Sequence, residues 1–194
     1  MKKHLIRFLP LLLALLFSLS ACADLAPAEK STGAVESSSA VPADIGSSGS
    51  QTVTLDRIPA YTDAAYVAVN DNTPYFSDED KQCTDPFEIY SELDELGRCG
   101  VAYANICTEL MPVEERGEIG QIKPSGWQTV KYDCVEGKYL YNRCHLIGFQ
   151  LAGENANAKN LITGTRYLNI QGMLPFENLV ADYVKETEHH VLYR

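Results

Sequence analysis

Between Tyr141 and Asn178 the chain reads YNRCHLIGFQLAGENANAKNLITGTRYLNIQGMLPFEN, a stretch that concentrates residues able to act on a phosphodiester. Cleaving that bond requires water to lose a proton as it attacks. A neutral imidazole with a pKa near 6.5 accepts one at physiological pH. His145 is the only histidine between the N-terminal segment and the pair His189-His190. Charge also builds on the phosphoryl oxygens and on the departing alkoxide, and a divalent cation neutralises both. Mg²⁺ takes oxygen ligands, keeps several waters and is held by one or two protein groups plus the phosphate. The carboxamide oxygen of Asn169, 24 residues after His145, suits that role. Arg143 and Arg166 carry guanidinium forks that match phosphate oxygens at two points.

Each of these residues has a plainer reading. A histidine after a strand is often structural, an asparagine often caps a turn, and an arginine in an acidic chain often pairs with a carboxylate. His189 and His190 are adjacent on an expected strand and so point to opposite faces, which favours a surface pair over a metal site. The same geometry turns the Cys144 sulfur away from His145 and excludes a thiol-protease dyad.

These residues must be positioned by the elements around them. Tyr66–Val69 and Pro74–Phe76, joined by Asn70-Asp71-Asn72, suggest a hairpin. Asp85-Pro86 opens an expected helix, with apolar positions at Phe87, Ile89, Tyr90, Leu93 and Leu96 and a stop at Gly97. Val101–Ile106 reads as a buried strand. Trp127–Tyr132 and Tyr139–Arg143 alternate around a turn at Val135–Lys138, which puts His145 at the end of a hairpin's second strand. Residues 148–159 form an irregular excursion. An apolar stripe from Leu174 to Val184 predicts a helix over 175–187, and His190–Tyr193 begins a further strand.

Outside this domain lie two segments of different character. Residues 1–21 have a basic start and an apolar run from Leu5 to Leu19, too short for a bilayer span and suited to a signal peptide. Leu19-Ser20-Ala21-Cys22 resembles the lipobox of bacterial lipoproteins, which implies lipidation of Cys22 and a lipid anchor as the sole membrane attachment. Residues 22–52 are rich in Ala, Ser and Gly, with no aromatic residue, and read as a flexible tether. As a coil it would reach on the order of 30 Å. Residues 53–194 remain, a usual size for one domain.

Charge argues against a simple polyanion binder, because residues 53–194 hold 12 basic and 22 acidic groups. The distribution is uneven: residues 53–120 are net −11, whereas residues 121–169, which contain His145, are net +3. Cys83, Cys99, Cys107, Cys134 and Cys144 form an odd set with no zinc spacing and no C-x-x-C pair. Their pairing stays open, with Cys144 the first candidate for a free thiol.

The block Asn142-Arg143-Cys144-His145-Leu146-Ile147-Gly148, followed by Asn160-Leu161-Ile162-Thr163-Gly164-Thr165-Arg166, resembles the DNA/RNA non-specific endonuclease family, closest to its streptococcal secreted DNases. The similarity covers roughly residues 97–194. It implies an α+β fold, an antiparallel β-sheet with helices that carries a ββα-metal finger. By position it makes His145 the general base and Asn169 the direct ligand of Mg²⁺, with Mn²⁺ as a substitute. Asn160 is implied as a second asparagine supporting activity, and Glu177 as a glutamate acting through the metal's waters. DNA, and RNA as well, are the implied substrates, and no protein partner is inferred. Asn142 and Cys144 depart from the commoner Asp-Arg-Gly-His motif. The chain also ends at Arg194, where chains of that family continue with further strands, so a C-terminally shortened sheet is expected. Together with the lipobox, the resemblance implies an extracytoplasmic enzyme, lipid-anchored on the outer face of the bacterial cell membrane or secreted. The rival readings are a non-catalytic surface lipoprotein that keeps the fold and binds a partner or nucleic acid, and a nuclease toxin.

Overall fold

A computed structural model of the chain describes residues 54–194. The expected signal segment at 1–21, the lipidation site Cys22 and the tether at 22–52 lie outside the described residues.

The core is organised by one buried strand. Ala102, Ala104 and Ile106 of β2 (Ala102–Ile106) join Ile147, Leu151, Ala152, Ala181 and Val184 in a single cluster. Alanines on that face let the helix bearing Ala181 and Val184 come close. The larger members, Ile106, Ile147, Leu151 and Val184, each contribute about 1.5–3 kcal/mol by leaving water. The opposite face of β2 carries Tyr103 and Asn105. Tyr103 meets Phe87 edge-on at 4.9 Å, and Asn105 Nδ2 donates to the carbonyls of Cys83 and Asp85.

Two antiparallel sheets run through the described residues. In the first, β2 lies between β1 (Phe87–Tyr90) and β5 (Val191–Tyr193), with Phe87 opposite Asn105 and Ile106 opposite Val191. In the second, β3 (Tyr141–His145) pairs with β4 (Leu161–Thr165), so that His145 faces Leu161 and Asn142 faces Gly164. Helix α1 (Asp78–Gln82) starts in a capping box made by Ser77 and Asp80. A single turn, α2 (Phe149–Ala152), interrupts the excursion between β3 and β4. After β4 a π-helical turn at Leu168–Met173 runs into α3 (Leu174–Thr187), with Pro175 in its first turn. Antiparallel strands with helices make this an α+β fold, and β3, β4 and α3 form its ββα unit.

Three expected elements are different in the structure. Residues 85–97 contain the strand β1 rather than a helix. Aromatic and β-branched residues there find a partner in β2, and that long-range pairing outweighs a stripe compatible with a helix. Asp94 then turns the chain, accepting from the N–H groups of Leu96 and Arg98. Residues 66–69 and 74–76 do not pair as a hairpin. Asn70, Asp71 and Asn72 all have positive φ, a conformation these side chains tolerate. Finally, the 127–143 hairpin shrinks to a bridge between Lys131 and Tyr139 with flanking backbone bonds. His145 therefore ends the first strand of the ββ pair, and the excursion falls between the strands rather than after them.

Candidate active site

Strand β3 lines one side of the site. Tyr141, Asn142, Arg143 and His145 all border an open cavity of about 1000 Å³. Cys144 points the other way, fully buried, and its free thiol is pushed up to about 11 chiefly by that burial. A protonated, inward sulfur is no nucleophile.

His145 is 5% exposed and held at both ring nitrogens. Nε2 lies 2.8 Å from the carbonyl oxygen of Asn155. A carbonyl only accepts, so Nε2 carries the proton and Nδ1 keeps a lone pair. Arg116 Nη2 approaches that Nδ1 at 3.4 Å. Burial pushes the ring below its ordinary pKa; the Asn155 carbonyl works against this and the Arg116 charge adds to it. The ring is therefore neutral at pH 7.

Arg116 reaches this place through a loop far from the β3–β4 block. Gly117 permits the approach, because a Cβ there would sit 2.8 Å from Asn155 Nδ2. The same amide donates to the Glu118 carbonyl at 3.4 Å. The local run Glu114-Glu115-Arg116-Gly117-Glu118 carries no motif, so nothing in the linear chain marks Arg116.

Asn160 lies outside the cavity lining and is fully buried. Its Oδ1 accepts from Ile147 N–H at 2.8 Å, its Nδ2 donates to Ile147 C=O at 2.9 Å, and its own carbonyl accepts from Leu146 N–H. It clamps the two residues that follow His145. Asn160→Ala would orphan two buried backbone groups at about 1–3 kcal/mol each. A melting temperature lower by roughly 5–15 °C is expected by thermal denaturation, and an unchanged melting curve would refute the clamp.

Asn169 and Glu177 both face the cavity, from the π-helical turn and from the first turn of α3. π-helical turns recur at functional sites because they swing side chains out of the regular helical register. Burial raises the pKa of Glu177, opposed by its hydrogen bond with Gln150 and by the Arg116 charge. An amide oxygen and a half-buried carboxylate facing one cavity are hard-oxygen donors, and a divalent cation would offset the cost of that buried charge. These residues fit a hard divalent cation.

Gly148 presses on this arrangement. A Cβ at Gly148 would fall 2.6 Å from Glu177 Oε2 and 2.7 Å from its carboxyl carbon. The Gly148 φ of −57° suits any residue, so an alanine there displaces the carboxylate rather than straining the backbone. Gly148→Ala is expected to lower activity by up to about 10²-fold with little change in melting temperature. Full activity in that variant would show that the position of Glu177 is irrelevant.

The two arginines from the sequence reading reach the cavity by different means. The Arg143 guanidinium lies 3.8 Å from the Trp127 ring centroid and donates to the carbonyls of Ile122 and Gly120, which fixes the 120–127 segment. Arg166 has a long ion pair to Glu136 at 3.9 Å, and its Nε is buried without a hydrogen-bond partner among the described residues. Thus His145, Asn169, Glu177, Arg143 and Arg166 share one cavity, while Asn160 stands behind it.

Comparison with known proteins bears on what this cavity does. A family model described as DNA/RNA non-specific endonuclease matches residues 76–194. No curated protein matches the chain. Among solved structures, NucA from Streptococcus agalactiae with magnesium ion bound superposes with a TM-score of 0.50 at 20% identity, covering 56% of each chain. At that identity the likeness is one of fold. Sda1 nuclease with bound zinc ion is 27% identical with a TM-score of 0.45, over 55% of this chain and 59% of that one. The chain therefore spans little more than half the length of the nucleases it matches.

Proposed function

Since the chain belongs to the DNA/RNA non-specific endonuclease family through residues 76–194, we propose that it is a divalent-metal-dependent nuclease hydrolysing phosphodiester bonds of DNA, and of RNA, with little sequence preference. The observation that carries this reading is the His145 ring. Its Nε2–H is committed to the Asn155 carbonyl, so Nδ1 is the acceptor, and in the cavity that Asn169 and Glu177 also line it receives only a long contact from Arg116.

In this mechanism His145 Nδ1 takes a proton from the attacking water as the new P–O bond forms. The 3′-oxygen departs and is protonated from solvent, leaving a 5′-phosphate. Arg116 trades its long contact with Nδ1 for a phosphate oxygen, which frees the lone pair and supplies positive charge where negative charge accumulates. Arg166, whose Nε lacks a partner among the described residues, serves the neighbouring phosphates, and Arg143 holds the wall beside them. Asn169 would hold Mg²⁺ directly and Glu177 would hold its waters; the bound ion supplies Lewis-acid stabilisation of the phosphoryl and leaving oxygens. Contacts of this kind are to the backbone of the nucleic acid and carry no sequence information.

Incubating the full chain with supercoiled plasmid and Mg²⁺ tests the reading. Nicking that stops with EDTA and returns with excess Mg²⁺ is expected. Intact plasmid in every condition would instead favour a non-catalytic binder, a reading that the acidic net charge of residues 53–120 suits. The lipobox motif at Cys22 supports an anchor on the outer face of the cell membrane, with residues 22–52 as the tether.

A further inference from the structure

At the far end of β2 the chain assembles a second set of metal-binding side chains that the nuclease site does not use. Ile106 pairs with Val191, and the antiparallel register carried one step further sets Cys107 opposite His190. Immediately after, a turn closed by Leu110 N–H to Cys107 C=O folds Glu109 back over the strand end. One ligand atom from each of Cys107, Glu109 and His190 lies within 4.8 Å of the others. None of the three lines the cavity at His145. From this juxtaposition we propose that Cys107, Glu109 and His190 form a zinc site that clips β5 to β2, distinct from the nuclease centre and independent of the reading given for it.

The donor set selects the ion. A thiolate, an imidazole and a carboxylate suit Zn²⁺, which binds S, N and O at about 2.0–2.3 Å in a tetrahedron, with water as the fourth ligand. Those bond lengths demand ligand–ligand separations of about 3.3–3.7 Å. The ligand atoms already lie within 4.8 Å of one another, and the exposed Glu109 side chain, which accepts from Thr108 Oγ1 at 3.1 Å, would turn toward the other two as the set closes. Mg²⁺ would reject the sulfur.

His190 Nδ1 is itself buried and has no hydrogen-bond partner among the described residues. A buried ring nitrogen without a partner is costly, and coordination would satisfy it. Cys107 is only 1% exposed, and its thiol is held above its ordinary pKa by burial and by the Glu109 carboxylate beside it. Zinc would reverse that: the Sγ–Zn bond forms, and the thiol proton leaves to solvent. Binding is thus stoichiometric with the release of one proton and involves no redox change.

Full chain stripped with a chelator and titrated with Zn²⁺ should bind one equivalent that persists in the His145→Ala/Asn169→Ala background. Proton release and a rise in melting temperature should accompany it. His190→Ala and Glu109→Gln should each weaken zinc at least tenfold while leaving Mg²⁺-dependent nicking within twofold of the parent. Cys107 is buried and Cys107→Ser risks misfolding, so these two partly or fully exposed positions carry the test. Co²⁺ in place of Zn²⁺ should give a thiolate charge-transfer band in the parent and lose it in His190→Ala. Three results would each overturn the assignment: no bound zinc in the parent, unchanged affinity in both variants, or zinc lost in the His145→Ala/Asn169→Ala background alone.

Discussion

His145→Ala is expected to reduce plasmid nicking by about 10²–10⁴-fold, the range that general-base removal costs. That corresponds to roughly 3–5 kcal/mol of transition-state stabilisation. The residue sits at the end of β3 with its ring anchored to the Asn155 carbonyl, so the variant loses the proton acceptor without losing the strand. A pH profile separates this role from a packing role. Burial and the Arg116 charge both disfavour the imidazolium, and together they outweigh the Asn155 carbonyl. Activity should therefore rise with pH along a limb centred below the ordinary histidine range and be level at neutrality. Arg116→Gln removes a positive charge beside the ring and should move that limb upward as well as lowering activity. Nicking by His145→Ala within tenfold of the parent would remove His145 from the chemistry, and a pH limb unmoved in Arg116→Gln would remove the Arg116 charge from the ring's titration.

Asn169→Ala should be nearly as damaging, for a different reason. Its carboxamide oxygen is the proposed direct protein ligand, and an ion held by one or two protein groups has little to fall back on. Losing several kcal/mol of charge stabilisation lowers the rate by about 10²–10⁴-fold. Raising Mg²⁺ should recover part of that loss, and Asn169→Asp, which keeps an oxygen at the same position, should retain more activity than alanine. Glu177→Gln should mainly raise the Mg²⁺ concentration required, since it acts through water. If Asn169→Ala titrates with Mg²⁺ as the parent does, another group holds the ion.

Both variants act on residues that stand out in the linear chain, and that legibility has a physical origin. Within residues 141–178 the candidate groups lie on adjacent elements, so their types and spacing survive as a local pattern. The buried run at Val101–Ile106 and the stripe behind α3 are equally local, one by continuous apolarity and the other by a period near 3.6. Asn160 shows the limit of such reading. Its position marked it as important, but only the fold reveals that both amide atoms are spent on Ile147, behind the cavity rather than inside it.

Where the answer depended on a distant partner, the linear chain was ambiguous or silent. Residues 87–96 suit a helix stripe as well as a strand, and pairing with β2 decided for the strand. β3 had a nearer candidate in residues 127–132 and took β4 instead. Arg116 meets His145 from 29 residues away, and Cys107 meets His190 across strands separated by more than eighty positions in sequence. The sequence by itself determined which side chains were available for phosphodiester chemistry, and that a strand leading to His145 and a helix after Asn169 would carry them, because periodicity and residue type are properties of short segments. Tertiary structure alone decided which nitrogen of His145 keeps its lone pair, which cation stands beside it and which carboxylate is half-buried. Each of those depends on desolvation and on neighbours that only chain closure brings within a few ångströms.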